Sequence, residues 1–276
     1  MAYKTINHDV RVVNGRTLYM PSYFDNQTGL GNLDLPDLSV ADSTQKYPLG
    51  TKYVDGERVW KYALFAGTVN PDFGAMNTQY QPVGYSAIAA ATTQYATQLT
   101  FTLSATDGHA ADGAIAADEL AGGYCVIFDN SSKAIFRQIQ SNAVVAAGGG
   151  TMTLDLTDPI PVALTTSDNI ECIASPYRNV TASASNSYGV VGVPELVYTT
   201  GQYGWLQTWG PRWLAPQAAV GGGSNNDICI FRHDGSIDEL DYSAATNNKG
   251  QIAGYVMCWP AAGTQGAPFI FLMISS

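Results

Sequence analysis

The chain has 276 residues, with 13 basic against 23 acidic side chains and a net charge of −10. Charged residues are only 13% of it, about half the share usual in soluble proteins, so small neutral residues must cover much of its surface. No run of Lys or Arg supplies the basic footprint of a nucleic-acid partner, and no apolar stretch approaches the roughly 18 residues of a membrane-spanning helix.

Residues 1–45 read as an extended N-terminal arm holding a small hairpin. The opening MAYKTINHDV has no apolar h-region and is not read as a signal peptide. Val10 to Val13 and Arg16 to Tyr19 flank Asn14-Gly15, the residue pair of a tight hairpin turn. After Pro21 the chain becomes aperiodic and turn-rich, as expected of a segment ordered by what it lies on. From residue 46 the signals sharpen into a β-rich body. Thr51 to Val54 and Arg58 to Ala63 form a second hairpin around Asp55-Gly56. In QLTFTLS, Leu99, Phe101 and Leu103 alternate with polar neighbours, and Met152, Leu154 and Leu156 do the same further on. Between them Asp118-Glu119-Leu120 is the one candidate for a short helical turn, and GYCVIF and AIFRQIQS read as another hairpin. Asn169 to Ala174, Gly189 to Val193, Ile228 to Phe231, Ser236 to Leu240, Gln251 to Trp259 and Pro268 to Ile274 complete the strands.

The stretch YTTGQYGWLQTWGPRW, residues 198–213, holds three of the chain's five Trp residues. Strict alternation would place Tyr203, Trp205, Gln207 and Trp209 on one face, and Gly204, Leu206, Thr208 and Gly210 on the other. The glycines allow a ring or another backbone to approach closely. Tyr203, Trp205, Trp209 and Trp213 are therefore either the core of a central strand or an aromatic binding and assembly surface. Strands recur with turn chemistry between them and no long amphipathic helix intervenes. The expected fold is all-β, a sandwich or barrel, jelly-roll-like or built as two packed lobes. The lobes would be about 91–185, and 46–90 with 186–276.

Catalytic equipment is not evident. The three histidines, His8, His109 and His233, form no metal motif, and Asp107-Gly108-His109 and His233-Asp234-Gly235 read as turns. Gly148 to Gly150 and Gly221 to Gly223 lack the Lys-Ser/Thr and helix of a phosphate loop. The glutamates, at 57, 119, 171, 195 and 239, fall into no paired-carboxylate motif. Asp107, Asp112 and Asp118 match no calcium-loop spacing. No enzyme activity, cofactor or metal is expected. Cys125, Cys172, Cys229 and Cys258 lie in apolar runs and read as buried free thiols, with a bridge between neighbouring strands as the alternative.

The segments LGTKYVDGERVWKYALFAGT, LTDPIPVALTTSDNIECIASPYRNV, GQYGWLQTWG and FIFLMIS together resemble the head-decoration, or cement, proteins of tailed bacteriophages. The likeness spans roughly Leu49 to Ser276; the arm carries little of it. It implies a structural protein of the virion, bound to the major capsid protein on the outer capsid surface, bridging its subunits, and self-associated as a homotrimer. The arm residues Tyr19, Tyr23, Phe24, Leu30, Leu33 and Leu35 would then touch the capsid. The alternative is a tail or spike adhesin, or a carbohydrate-binding module, that stacks sugars on the Trp-rich strand.

Overall fold

A computed structural model describes residues 10–21, 35–78, 82–130, 133–183, 189–216, 220, 227–240, 250–258 and 268–276. The described residues contain strands and turns and no helix. In chain order the strands are β1 (Val10–Val13), β2 (Arg16–Tyr19), β3 (Lys52–Asp55), β4 (Arg58–Leu64), β5 (Ala75–Asn77), β6 (Val83–Ala87), β7 (Gln98–Leu103), β8 (Tyr124–Asp129) and β9 (Lys133–Asn142). They continue with β10 (Gly150–Leu156), β11 (Asn169–Ile173), β12 (Val180–Ala182), β13 (Val190–Pro194), β14 (Tyr203–Trp213), β15 (Ile228–Phe231), β16 (Ile237–Glu239), β17 (Ile252–Cys258) and β18 (Phe269–Met273). The protein is all-β, with antiparallel sheets. Two compact units divide the chain: Gln79–Pro176 is the body of one, and Asp9–Met20, Leu30–Thr78 and Tyr177–Ser276 form the other.

In the first unit six strands run in the order β6-β11-β8-β9-β10-β7. The two edge strands meet through the antiparallel bridge Ile88↔Phe101, so the sheet curls around its own interior. Alternation explains what fills it. Leu99, Phe101 and Leu103 on β7 and Met152, Leu154 and Leu156 on β10 all point inward and are buried. Cys125, Ile127, Ile135, Ile139, Ile170 and Cys172 complete the same cluster. The helical turn expected at Asp118 is instead a run of tight turns. Asp118 has φ +57°, which no α-helix tolerates, and Asn142 supplies the missing order from outside. Its Oδ1 accepts from Leu120 N–H at 2.8 Å, and its Nδ2 donates to the Ala116 carbonyl at 2.8 Å.

In the second unit the main path is β1-β2-β3-β4-β14-β18-β17-β15-β16, with β13 also on β14, and β5 and β12 beside it. The N-terminal hairpin turns at Asn14-Gly15, with φ of 51° and 77°, as the mirror-image type I turn demands. Its second strand, β2, is hydrogen-bonded to β3, and Leu18 and Met20 are buried. Of the 1–45 segment, residues 1–9 and 22–34 lie outside the described residues, and Tyr23, Phe24, Leu30 and Leu33 with them. The β3–β4 turn differs from expectation by one residue. Asp55 pairs with Arg58, so the two-residue loop is Gly56-Glu57 and Gly56 supplies the positive φ. That register puts Tyr53 opposite Trp60, both in the core; a slip of one would put the two rings on opposite faces of the sheet.

Candidate functional site

Strand β14 is flanked by β4 on one side and β18 on the other. Along its first half it is core. Trp205 is only 1% exposed and contacts the rings of Tyr62 at 5.0 Å, Tyr47 at 5.2 Å and Tyr53 at 5.9 Å between centroids. Tyr203, half-buried, stacks on Tyr62 and bridges Asp42 through its backbone. The glycine expectation is concrete here. A Cβ on Gly204 would lie 2.1 Å from the Tyr198 ring, which stacks on Phe65 at 4.2 Å and accepts the Trp205 N–H on its hydroxyl.

The alternation then breaks. Gln207 opposes Trp60, but Trp209 opposes Val59, with Thr208 as the extra residue of a β-bulge. The bulge moves Trp209 to the face opposite Trp205 and Gln207, where the sequence had placed all three together. Gly210 follows with φ +95°, and a Cβ there would sit 2.5 Å from the Glu57 carbonyl. A polar knot fixes the bend. Arg212 donates to Glu195 Oε1 at 2.9 Å and to the carbonyls of Pro194 and Pro71 at 2.6 and 2.8 Å. Trp60 Nε1 donates to the same Glu195 oxygen, and Gln207 Nε2 donates to the carbonyls of Trp209 and Pro211. Each of these hydrogen bonds ends on a defined acceptor, and together they tie β14 to the Pro194-Glu195 segment and Pro71.

Beyond the bulge β14 becomes surface. Trp209, Pro211 and Trp213 pair in register with Met273, Phe271 and Phe269 of β18, and Phe271 with Tyr255 of β17. Trp209 meets Phe271 edge-on at 5.5 Å, and Tyr255 stacks on Phe271 at 5.3 Å. On the other side of these strands Ile270, Leu272 and Ala253 are fully buried. The open side therefore shows Trp213, Phe269, Met273, Tyr255 and Met257, each between 39% and 55% exposed. Sequence reasoning singled out the Trp residues and missed Phe269, Phe271, Met273, Tyr255 and Met257. The available signal was FIFLM, apolar at both parities, which leaves a second apolar face once the first is buried. Soluble monomers rarely leave so contiguous an apolar face open to water.

No family model matches this chain, and no curated protein or solved structure matches it.

The remaining sequence candidates have structural occupations. Asp107 accepts Ser104 N–H at 2.7 Å and Gly84 N–H at 3.2 Å, and Asp234 accepts Ser236 N–H at 3.0 Å, so both Asp-Gly pairs serve turns. Asp112 accepts Ala114 N–H at 2.9 Å. Among the described residues no three His, Cys, Asp or Glu side chains converge on a point. A cleft lined by Val69, Asn70, Phe73, Gly74, Ala182 and Asp234 holds about 180 Å³, below the roughly 300 Å³ at which small-molecule pockets begin. All four cysteines are free; Cys125, Cys172 and Cys229 are buried, but Cys258 is exposed, against the expectation from its apolar run. Cys125 and Cys172 face each other across β8 and β11, and burial pushes the Cys125 thiol up to about 12 and Cys172 well above its ordinary value. Of the two arm residues described, Tyr19 is exposed beneath the Lys52 ammonium and Leu35 is half-buried.

Proposed function

We propose that this chain is a non-catalytic assembly protein that docks on other protein through the sheet face of Trp209, Trp213, Phe269, Phe271, Met273 and Tyr255. The observation that carries the reading is the composition of that face: the outward positions of β14 beyond the bulge, of β18, and Tyr255 and Met257 of β17 hold no charged or amide side chain. Desolvating such a surface costs little and returns roughly 25 cal/mol per Å² of apolar area covered, whereas a soluble monomer gains nothing from keeping it open. Taken with the resemblance to bacteriophage head-decoration proteins, the proposal is a virion structural protein. It sits on the outer capsid surface, bridges major capsid subunits and associates as a homotrimer. Repetition over a shell multiplies modest contacts by avidity.

The adhesin alternative has less support. Sugar recognition needs hydrogen-bonding side chains around the stacking ring, and Trp205, the ring at the centre of the aromatic stretch, is in the core. The test is co-sedimentation with capsid shells that lack the protein, comparing wild type with Trp213→Asp/Phe269→Asp. The reading expects wild type to pellet with shells and the folded double variant to remain in the supernatant. Equal pelleting of both, or wild-type binding on a glycan array that Trp213→Ala abolishes, would overturn it.

A further inference from the structure

The face that carries Trp209 continues along the sheet, and its next row is basic. Lys52 on β3 stands directly opposite Lys61 on β4, and Tyr19 on β2 is the partner of Lys52 on the other side. Val54 and Val59, the next pair on the same face, join this row to Trp209. Like charges directly opposed across an antiparallel pair repel. Neither ammonium has a carboxylate within ion-pair reach among the described residues; each lies against a ring instead, Lys52 over Tyr19 at 5.5 Å and Lys61 over Tyr177 at 6.0 Å. The nearby acids are engaged elsewhere. Asp55 is held by Arg16 at 3.3 Å and Arg58 at 3.6 Å, one residue round the pleat on the opposite face, and Asp42 by Lys46. Burial, with the charge of Lys52, lowers the Lys61 ammonium to about 8. The fold thus holds two cations together, one of them half-desolvated, with no carboxylate of the described residues between them.

We propose that Lys52 and Lys61, walled by Tyr19 and Tyr177, form a clasp for a carboxylate side chain on an acidic segment of the docking partner. The chemistry favours a carboxylate over a phosphate. A sheet face offers no backbone N–H groups and this one no Arg fork, which phosphate sites use to match three oxygens. Two ammonium groups set between rings suit a single negative charge on an otherwise apolar segment. The partner chemistry also complements the chain's charge balance: in a protein of net charge −10, this row is a local basic patch. The inference rests on the docking reading for its partner, but its site and its test are separate.

The full chain, labelled with ¹⁵N at lysine, is titrated with an acetylated and amidated (Val-Glu)₄ peptide, and in parallel with inorganic phosphate. The expected result is a selective shift of the Lys52 and Lys61 ammonium resonances with peptide, weakened about tenfold or more by Lys61→Met or Lys52→Met and by added salt. Both variants should unfold at the same or higher urea concentration than wild type, since each relieves a repulsion. Four results would overturn the clasp: no response of the two resonances, no weakening in the variants, equal occupancy by phosphate, or variants that unfold earlier because the lysines are structural. The peptide response should persist in Trp213→Asp/Phe269→Asp, so failure of the docking face and failure of the clasp are read separately.

Discussion

Replacing Trp205 by alanine removes an indole that is 1% exposed and touches three tyrosine rings. A buried indole withdraws about 200 Å² or more from water, worth roughly 5 kcal/mol at 25 cal/mol per Å². Alanine retains a small part of that, and partial collapse of the site recovers more. Lost ring-ring contacts add about 0.5–1.5 kcal/mol each. The expected cost is about 4 kcal/mol, within the range measured for such truncations and a large part of a stability of about 5–15 kcal/mol. Trp213, eight residues on in the same strand, is 39% exposed and faces outward. Its replacement by alanine should cost about 1 kcal/mol or less. The assay is urea unfolding followed by far-ultraviolet circular dichroism, because fluorescence changes when a Trp is removed. A loss for Trp205→Ala below about 1.5 kcal/mol, or equal losses for both, would refute the division of β14 into a core half and a surface half.

Glu195→Ala leaves the Arg212 guanidinium and the Trp60 N–H short of their shared acceptor; a loss of about 3–5 kcal/mol is expected by the same unfolding assay. A thiol reagent added to native protein should label Cys258, which is exposed, and reach Cys125, Cys172 and Cys229 only on unfolding; fast native labelling of more than one site would contradict the burial. Stability should fall at alkaline pH. Burial raises Cys125 and Cys229 to about 12 and Cys172 well above its ordinary value, so above pH 9 the unfolded chain loses thiol protons that the folded chain keeps. Each thiol then withdraws about 1.4 kcal/mol per pH unit between about 9 and 12. Lys61 acts in the opposite sense between about 8 and its ordinary value, because its folded form gives up a proton first, but it is one group against three. Urea midpoints measured from pH 9 to 11 should decline, less steeply in Cys125→Ala; a flat profile would refute the assignment.

The strands that the sequence reveals are those with one buried and one wet face. In QLTFTLS the polar residues mark the outside as clearly as Leu99, Phe101 and Leu103 mark the interior. Asn14-Gly15 announces its turn because few other pairs take two positive φ angles. Two kinds of feature escape such reading. Local insertions are one: the bulge at Thr208 and the one-residue shift to Gly56-Glu57 are set by what β14 and β4 pair with, and the residues themselves would accept either register. Surfaces assembled from distant strands are the other. The Trp-rich stretch stands out in the sequence, but its exposed half becomes a face only beside β18 and β17, and Lys52 and Lys61 become neighbours only when β3 pairs with β4.

The measurement that bears most directly on the docking face is oxidative footprinting of methionine, free and on shells. In free protein Met257 and Met273, 48% and 42% exposed, should oxidise readily, while Met76 and Met152 in the cores should not. On capsid shells the account predicts that Met257 and Met273 become protected, with no change at Met76 or Met152. Undiminished oxidation of Met257 and Met273 on fully occupied shells would show that this face stays open to water, and would contradict it.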